Sequence, residues 1–452
     1  MKSLSRRSFM KRTGLAAALA AGAAGSSFSI IRGAETGGAT KMKAMQRPDL
    51  PDGNSARGIE VIQLTTQTDV PASHLYMEAQ VFTSDSKRFL LHLSAGAHGG
   101  SKDDPRHQYF VCDLDNGCEL SPITNETGAT ATSVSPDDKY VYYFVDETEP
   151  GGGRLTLKRV NLDGSDRRVI MVIDKPLPDT QFRPSRIYPL STISSDGKRL
   201  ALSCFLGDGR TENMPWGLMA FDLEKASVQL ILQGTSWVNV HPQYSRSRDP
   251  KESRDILVQD NHDNQFNASG TVTKLVGGDG ADIHVIRDDG SDMRNMPWGR
   301  DGNEFCQGHQ CWRGRSAWAI TSTGTRNPPE CQLIEGLAAP HAGHIGLKTP
   351  GGRRNDLSRE FPNPKFYHFA TDIAGERMIT DCGPLSKEAK IYAMELGKPG
   401  EEPLRNFRYL LSPKSSCLKG AHIHPFLSPD GRTGFFNSDE SGRLQAYMIR
   451  GL

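Results

Sequence analysis

Four of the thirteen histidines recur at one place in a repeating pattern. His241, His309, His368 and His424 each stand five or six residues before a turn, anchored in turn at Ser247, Gly314, Ala374 and Asp430. His422 precedes His424 by two residues, which on a strand points both imidazoles to one face. Convergent neutral imidazoles suit a divalent transition metal. An imidazole near its unperturbed pKa is also the side chain best placed to take a proton at neutral pH. Any one of these histidines reads equally well as a satisfied core or turn residue. The shared register is what singles out the group. His341 and His344 fall in a Pro/Gly-rich insert and read as loop residues, and His74, His92, His98, His107, His262 and His284 carry no such pattern.

The elements that must position these residues follow from the repeat. Its core is a small or polar residue, an Asp-Gly-Lys-like turn, and an alternating apolar strand. Clear copies are VFTSDSKRFLLHLS (81–94), SVSPDDKYVYYFVD (133–146), TISSDGKRLALSCF (192–205) and PFLSPDGRTGFFNSD (425–439). Degenerate copies lie at 242–261, 310–322 and 369–381. With anchors at Asp85, Asp137, Asp196, Ser247, Gly314, Ala374 and Asp430, the intervals are 52, 59, 51, 67, 60 and 56 residues. Each interval has room for about four strands, which is the size of a propeller blade. A pair of β-sandwiches has no reason to repeat one turn at this interval. The expected fold is all-β: a seven-bladed β-propeller over 58–452. The segment before each anchor is the expected innermost strand, so blades four to seven send their histidines toward one mouth of the central channel. The strand expected at Gly58–Thr65 can complete the last blade beside Leu444–Ile449 and remove an exposed edge.

The chain has 54 Lys+Arg against 53 Asp+Glu. Six of the bases (Lys2, Arg6, Arg7, Lys11, Arg12 and Arg32) and none of the acids fall in residues 1–34, so the remainder carries 48 against 53, or −5. A nucleic-acid binder needs concentrated positive surface and is not expected. Ser5-Arg6-Arg7-Ser8-Phe9-Met10-Lys11, followed by the apolar run Thr13–Gly25, resembles a twin-arginine export signal. The run is too short for a lasting membrane span, and no later stretch offers about 18 consecutive apolar residues. Residues 1–34 are therefore read as the signal, 35–57 as a polar linker, and the location as periplasmic or otherwise exported, through the twin-arginine export machinery. That route carries folded proteins, which suits a weakly bound metal such as Mn²⁺ loaded before export. Eight cysteines allow about 105 pairings in an oxidising compartment. Cys112 and Cys118 flank a hairpin-turn signal and form the best local pair.

Gly58–Leu64 with Leu75-Tyr76-Met77, His241-Pro-Gln-Tyr244, Gly308-His-Gln-Cys-Trp312, His368 and His422-Ile-His-Pro425 resemble the oligogalacturonate lyases of polysaccharide lyase family 22, in order and over nearly all of 58–452. The resemblance implies a seven-bladed propeller that binds Mn²⁺ and cleaves oligogalacturonides by β-elimination. It makes His309, His422 and His424 the metal ligands and His241 the base. The chain departs from the family at two places. Lys419 stands where the family has a glutamine ligand, and a protonated lysine there suits a substrate carboxylate instead of a cation. The family arginine falls near Trp216–Gly217, where neither residue is basic, so Arg210 on the preceding loop is the candidate replacement. The expected substrate is an acidic oligosaccharide. The alternative is a non-catalytic exported propeller that binds a glycan or a protein.

Overall fold

Each clear copy of the repeat is closed by one hydroxyl. Thr83, Ser135, Ser194 and Ser428 donate to the Asp two residues on, at 2.6–2.7 Å. The same oxygens accept the backbone N–H at the start of the next strand, at 2.9–3.1 Å. The residue after the Asp must take a positive φ: Ser86 (62°), Asp138 (60°), Gly197 (73°) and Gly431 (68°). That explains the Gly or small polar residue at this position in every clear copy.

The computed structural model describes residues 43–452 apart from 68, 263, 275–279, 300–303, 325–330 and 342–350. Residues 1–34, read as an export signal, and His344 lie outside the described residues. Six four-stranded antiparallel sheets and one five-stranded sheet follow one another along the chain. They are the seven blades of a β-propeller. Their innermost strands are Ala72–His74, Ala129–Val134, Arg186–Ile193, Gln243–Tyr244, Phe305–Trp312, Phe366–Thr371 and Phe426–Leu427. In six blades it is the first strand of the blade in the chain, and in the last blade it is the first of the three C-terminal strands, so all seven run the same way along the axis, from a mouth that carries histidines to a mouth that carries the closed turns.

Middle strands such as Arg199–Phe205 and Trp216–Asp222 are buried on both faces, because each sheet is covered by its neighbours. Between blades two and three, Phe144, Leu155 and Leu157 pack against Leu200, Leu202 and Phe221. Each such side chain contributes roughly 1.5–3 kcal/mol by leaving water.

The ring closes as the sequence suggests. Glu60–Gln63 lies antiparallel to Gln445–Arg450, with Val61 opposite Ile449 and Ile62 opposite Met448. The linker reading of 35–57 needs correcting over its described part. Met45–Gln46 adds a fifth strand on Glu60–Gln63, and Leu50 is buried. Arg47 bonds Asp49, Gln63 and Glu440, which ties a polar-looking segment to the last blade. All eight cysteines are free thiols, Cys112 and Cys118 among them, and both of these are buried.

Candidate metal and acid–base site

Two of the singled-out histidines sit in bulges. Pairing of Phe305–Trp312 with its neighbour slips between Cys306 and Gln310, and pairing of Phe366–Thr371 slips between Phe366 and Phe369. The extra residues, His309 and His368 among them, leave the ladder and turn toward the axis, as bulges at functional sites commonly do. Gly308 has a φ of 81°, and a Cβ there would collide with Gln259, so only glycine lets this bulge form. Asp381 takes both polar groups of the second bulge: the His368 backbone N–H at 2.8 Å and its Nδ1 at 2.6 Å. A carboxylate on Nδ1 fixes the tautomer and leaves Nε2 free for a ligand.

His422, His424 and His98 converge, with one ring nitrogen from each lying within 4.8 Å of the others. His98 Nε2 is 3.3 Å from His422 Nδ1. The ring of His368 is centred 4.7 Å from that of His424 and 4.6 Å from that of His309. Two of the three ligands expected from sequence thus meet directly, and His309 adjoins them through His368. The third converging imidazole is one the sequence pattern passed over. His98 stands at the tip of a hairpin, Ala95–Gly96 paired with Gly99–Gly100, inserted after the second strand of blade one. The hairpin is held in place where the Ala97 N–H donates to the carbonyl of Gly420, at 3.0 Å, just ahead of His422.

The electrostatics favour a cation bound by neutral imidazoles. Burial is the largest cause that pushes His422 down to about 4, with His368 and Lys419 lowering it further and Asp381 opposing them. His424 is fully buried and neither of its ring nitrogens has a hydrogen-bond partner; Nδ1 of His309 is in the same condition. Unpaired buried nitrogens are costly unless something fills them. Clustered neutral imidazoles with spare lone pairs fit a divalent transition metal.

The proposed base lies beside this cluster. His241 Nδ1 is 3.0 Å from the Glu78 carboxylate, and its Nε2 is 3.2 Å from the Tyr188 hydroxyl. An ionised carboxylate only accepts, so Nδ1 carries the proton and the Nε2 lone pair accepts from the Tyr188 hydroxyl. Burial raises Glu78 above the usual carboxylate range, although His241 opposes this. Tyr76 separates base from cluster: its ring is centred 4.9 Å from that of His241 and 4.6 Å from that of His424. His241 (φ 48°) and His424 (φ 44°) both hold left-handed backbone, two residues before the innermost strands of their blades. Non-glycine residues rarely do so, and such strain gathers where side chains must be aimed.

Lys419 is exposed in the turn Lys419–Ala421 that leads into His422. Arg210 is exposed in the loop after Arg199–Phe205, where its backbone N–H donates to Asp208 at 2.8 Å. That loop opens on the histidine-bearing mouth, yet no contact joins Arg210 to the cluster among the described residues. Trp216, at the place of the family arginine, is buried against Phe205.

No protein-family model matches the sequence, nor does any curated protein. Two solved structures share the fold over nearly their whole length. An oligogalacturonate lyase in complex with manganese is 19% identical, over 91% of this chain and 97% of that chain, with a TM-score of 0.65. The oligogalacturonate lyase of Vibrio parahaemolyticus is 16% identical, over 90% of this chain and 96% of that chain, with a TM-score of 0.63. At these identities the likeness is one of architecture: the chain is a seven-bladed β-propeller built like those lyases.

Proposed function

We propose that this protein is a divalent-metal-dependent lyase that cleaves oligogalacturonides, or a related uronic-acid oligosaccharide, by β-elimination. The observation that carries this reading is the meeting of a carboxylate-paired imidazole and a cluster of convergent imidazoles on one channel mouth. His241 and its buried carboxylate partner stand one tyrosine ring away from His98, His422 and His424. The manganese bound by a similarly folded lyase makes Mn²⁺ the first metal to test.

Elimination removes the proton α to the uronate carboxylate and expels the oxygen at C4. A divalent cation on the imidazoles would supply positive charge for the negative charge that develops on that carboxylate. His241 takes the proton on Nε2. Glu78 holds the ring in the tautomer that allows this and faces the imidazolium that results. Tyr188 marks the direction in which the lone pair points. Lys419, exposed at the rim, pairs with a substrate carboxylate. A twin-arginine signal would place the reaction in the periplasm or outside the cell.

The buried Trp216 in the arginine's place favours a second reading, a non-catalytic propeller that binds a glycan or protein. One assay separates the two. The purified protein with Mn²⁺ is given oligogalacturonides and other acidic oligosaccharides, and the ultraviolet absorbance of the 4,5-unsaturated product is followed. A rise that disappears on chelation supports the lyase, and a flat trace across the panel with metal bound supports the binding propeller.

A further inference from the structure

The opposite mouth of the channel holds a cavity of about 230 Å³, formed where the innermost strands end in their turns, and all seven blades contribute to its wall. Its floor is the turn in which the Ala79 N–H donates to the Tyr76 carbonyl at 2.9 Å. Met77 and Ala79 of that turn face this cavity, while Tyr76 and Glu78 serve the histidine side.

Three arginines line the cavity: Arg246 and Arg248 from blade four and Arg315 from blade five. None of them has an ion-pair partner among the described residues. Arg246 is partly buried, and the hydrogen bond it donates, to the Thr371 carbonyl, is long at 3.4 Å. The fully buried arginines behave differently, since Arg294 meets Asp255 at 2.5 Å and Arg313 meets Glu335. The carboxylate on the cavity wall is already occupied: Asp138 accepts the Ser84 N–H at 2.7 Å and its hydroxyl at 2.5 Å. Asp372 nearby accepts the N–H groups of Glu376 and Arg377. Partial burial and, after it, the nearby Arg248 disfavour the charge of Arg315. Three guanidinium groups gathered where the nearby carboxylates are held by other donors keep their own donors available to an anion. The rest of the wall is largely apolar, with Val81, Phe82, Ile193, Phe426 and Leu427 prominent.

We propose that this cavity is a second binding site, separate from the histidine site, for a small organic anion with an apolar body. Its acidic head sits on Arg246, Arg248 and Arg315 and its body lies against Phe82 and Phe426. Carboxylates, sulfonates and phosphate esters share the required chemistry.

The probe is 8-anilinonaphthalene-1-sulfonate, titrated by fluorescence into the folded full chain, with uncharged N-phenyl-1-naphthylamine as the comparison. The expected result is saturable binding of one sulfonate per chain. Affinity falls at least tenfold in Arg248→Met/Arg315→Met, whose altered side chains are exposed and leave the melting temperature unchanged. Arg246→Met shows the same loss. The uncharged dye binds wild type and variants alike. Equal sulfonate affinity in wild type and the double variant would overturn the site. Displacement of the sulfonate by inorganic phosphate at equal affinity would overturn the role of the apolar wall.

Discussion

His241 Nδ1 and the carboxylate of Glu78 meet at 3.0 Å, although 163 residues separate them in the chain. Glu78 is buried, and its other carboxylate oxygen has no hydrogen-bond partner. A carboxylate in this position fixes the Nδ1–H tautomer of the imidazole and also costs folding energy. The cost follows from the direction of its shift. The folded pKa lies above the unfolded one, so the native state resists ionising this group.

Glu78→Gln keeps the shape and removes the charge. At neutral pH the native state no longer holds a desolvated anion, so the melting temperature rises. Turnover falls about 100-fold or more, in the range expected for damage to general-base catalysis. Wild-type activity drops as pH falls through the raised Glu78 pKa, while the stability contribution of this group improves over the same window. Calorimetry and the absorbance assay on both proteins check this. A variant that is both less stable and fully active would sink the pairing as a catalytic device.

Direct convergence makes His98 a stronger ligand candidate than His309. His98→Ala should weaken Mn²⁺ binding at least tenfold, and His309→Ala should weaken it less, because His309 reaches the cluster only through His368. His262→Ala, outside the site, is the control. Metal titration of the three variants gives the ranking, and the reverse order would restore the ligand set inferred from family resemblance.

His98 and Glu78 show why part of the site was illegible in the sequence. The turn in blades one, two, three and seven uses one hydroxyl and one carboxylate two residues apart, so these copies stand out along the chain and set the interval at which the degenerate turns of the other blades are found. Histidines carried at a fixed distance from that turn inherit its regularity, and His241, His309, His368 and His424 were readable for that reason. His98 belongs to an inserted hairpin whose length no repeat sets, and its partner His422 lies 324 residues away. The available signal was a lone histidine among the glycines of Ala95–Gly100, in the widened gap between Leu93 and Gln108. Tyr76 and Glu78 lie in a channel-crossing turn that no periodicity announces. The docked segment 43–57 was misread because its hold on the last blade rests on Arg47 and Leu50 within a polar stretch.

His74 makes the fold acid-sensitive. Its ring is buried among Phe89, Phe426 and Phe435 and bonds the Tyr447 carbonyl at 2.9 Å. Burial lowers it from 6.5 to about 4. The unfolded chain therefore takes the proton first, and stability is lost as pH falls from the unfolded value toward the folded one. Across the whole interval the loss from this group is about 3 kcal/mol. His74→Gln keeps a donor for Tyr447 and removes the titration. Urea midpoints of the metal-free proteins at pH 7, 5.5 and 4.5 should fall less steeply for the variant. Parallel slopes would assign the acid sensitivity to other groups.

Ring closure divides the N-terminal region into two parts of unequal weight. A chain shortened to begin at residue 58 loses the Met45–Gln46 strand, the burial of Leu50 and the Arg47–Glu440 pair, but keeps Glu60–Gln63 on the last blade. Its stability should fall by roughly 2 kcal/mol, about the value of one buried leucine with a partly exposed ion pair. A chain beginning at residue 66 also loses Val61, Ile62 and Leu64 and leaves Gln445–Arg450 as an open edge. The further loss is about 5 kcal/mol from burial alone, and the bare edge invites pairing between chains. Calorimetry should show two graded drops in melting temperature, and light scattering should find association only in the shorter chain. If both truncations melt alike, the strand Glu60–Gln63 is not what closes the ring.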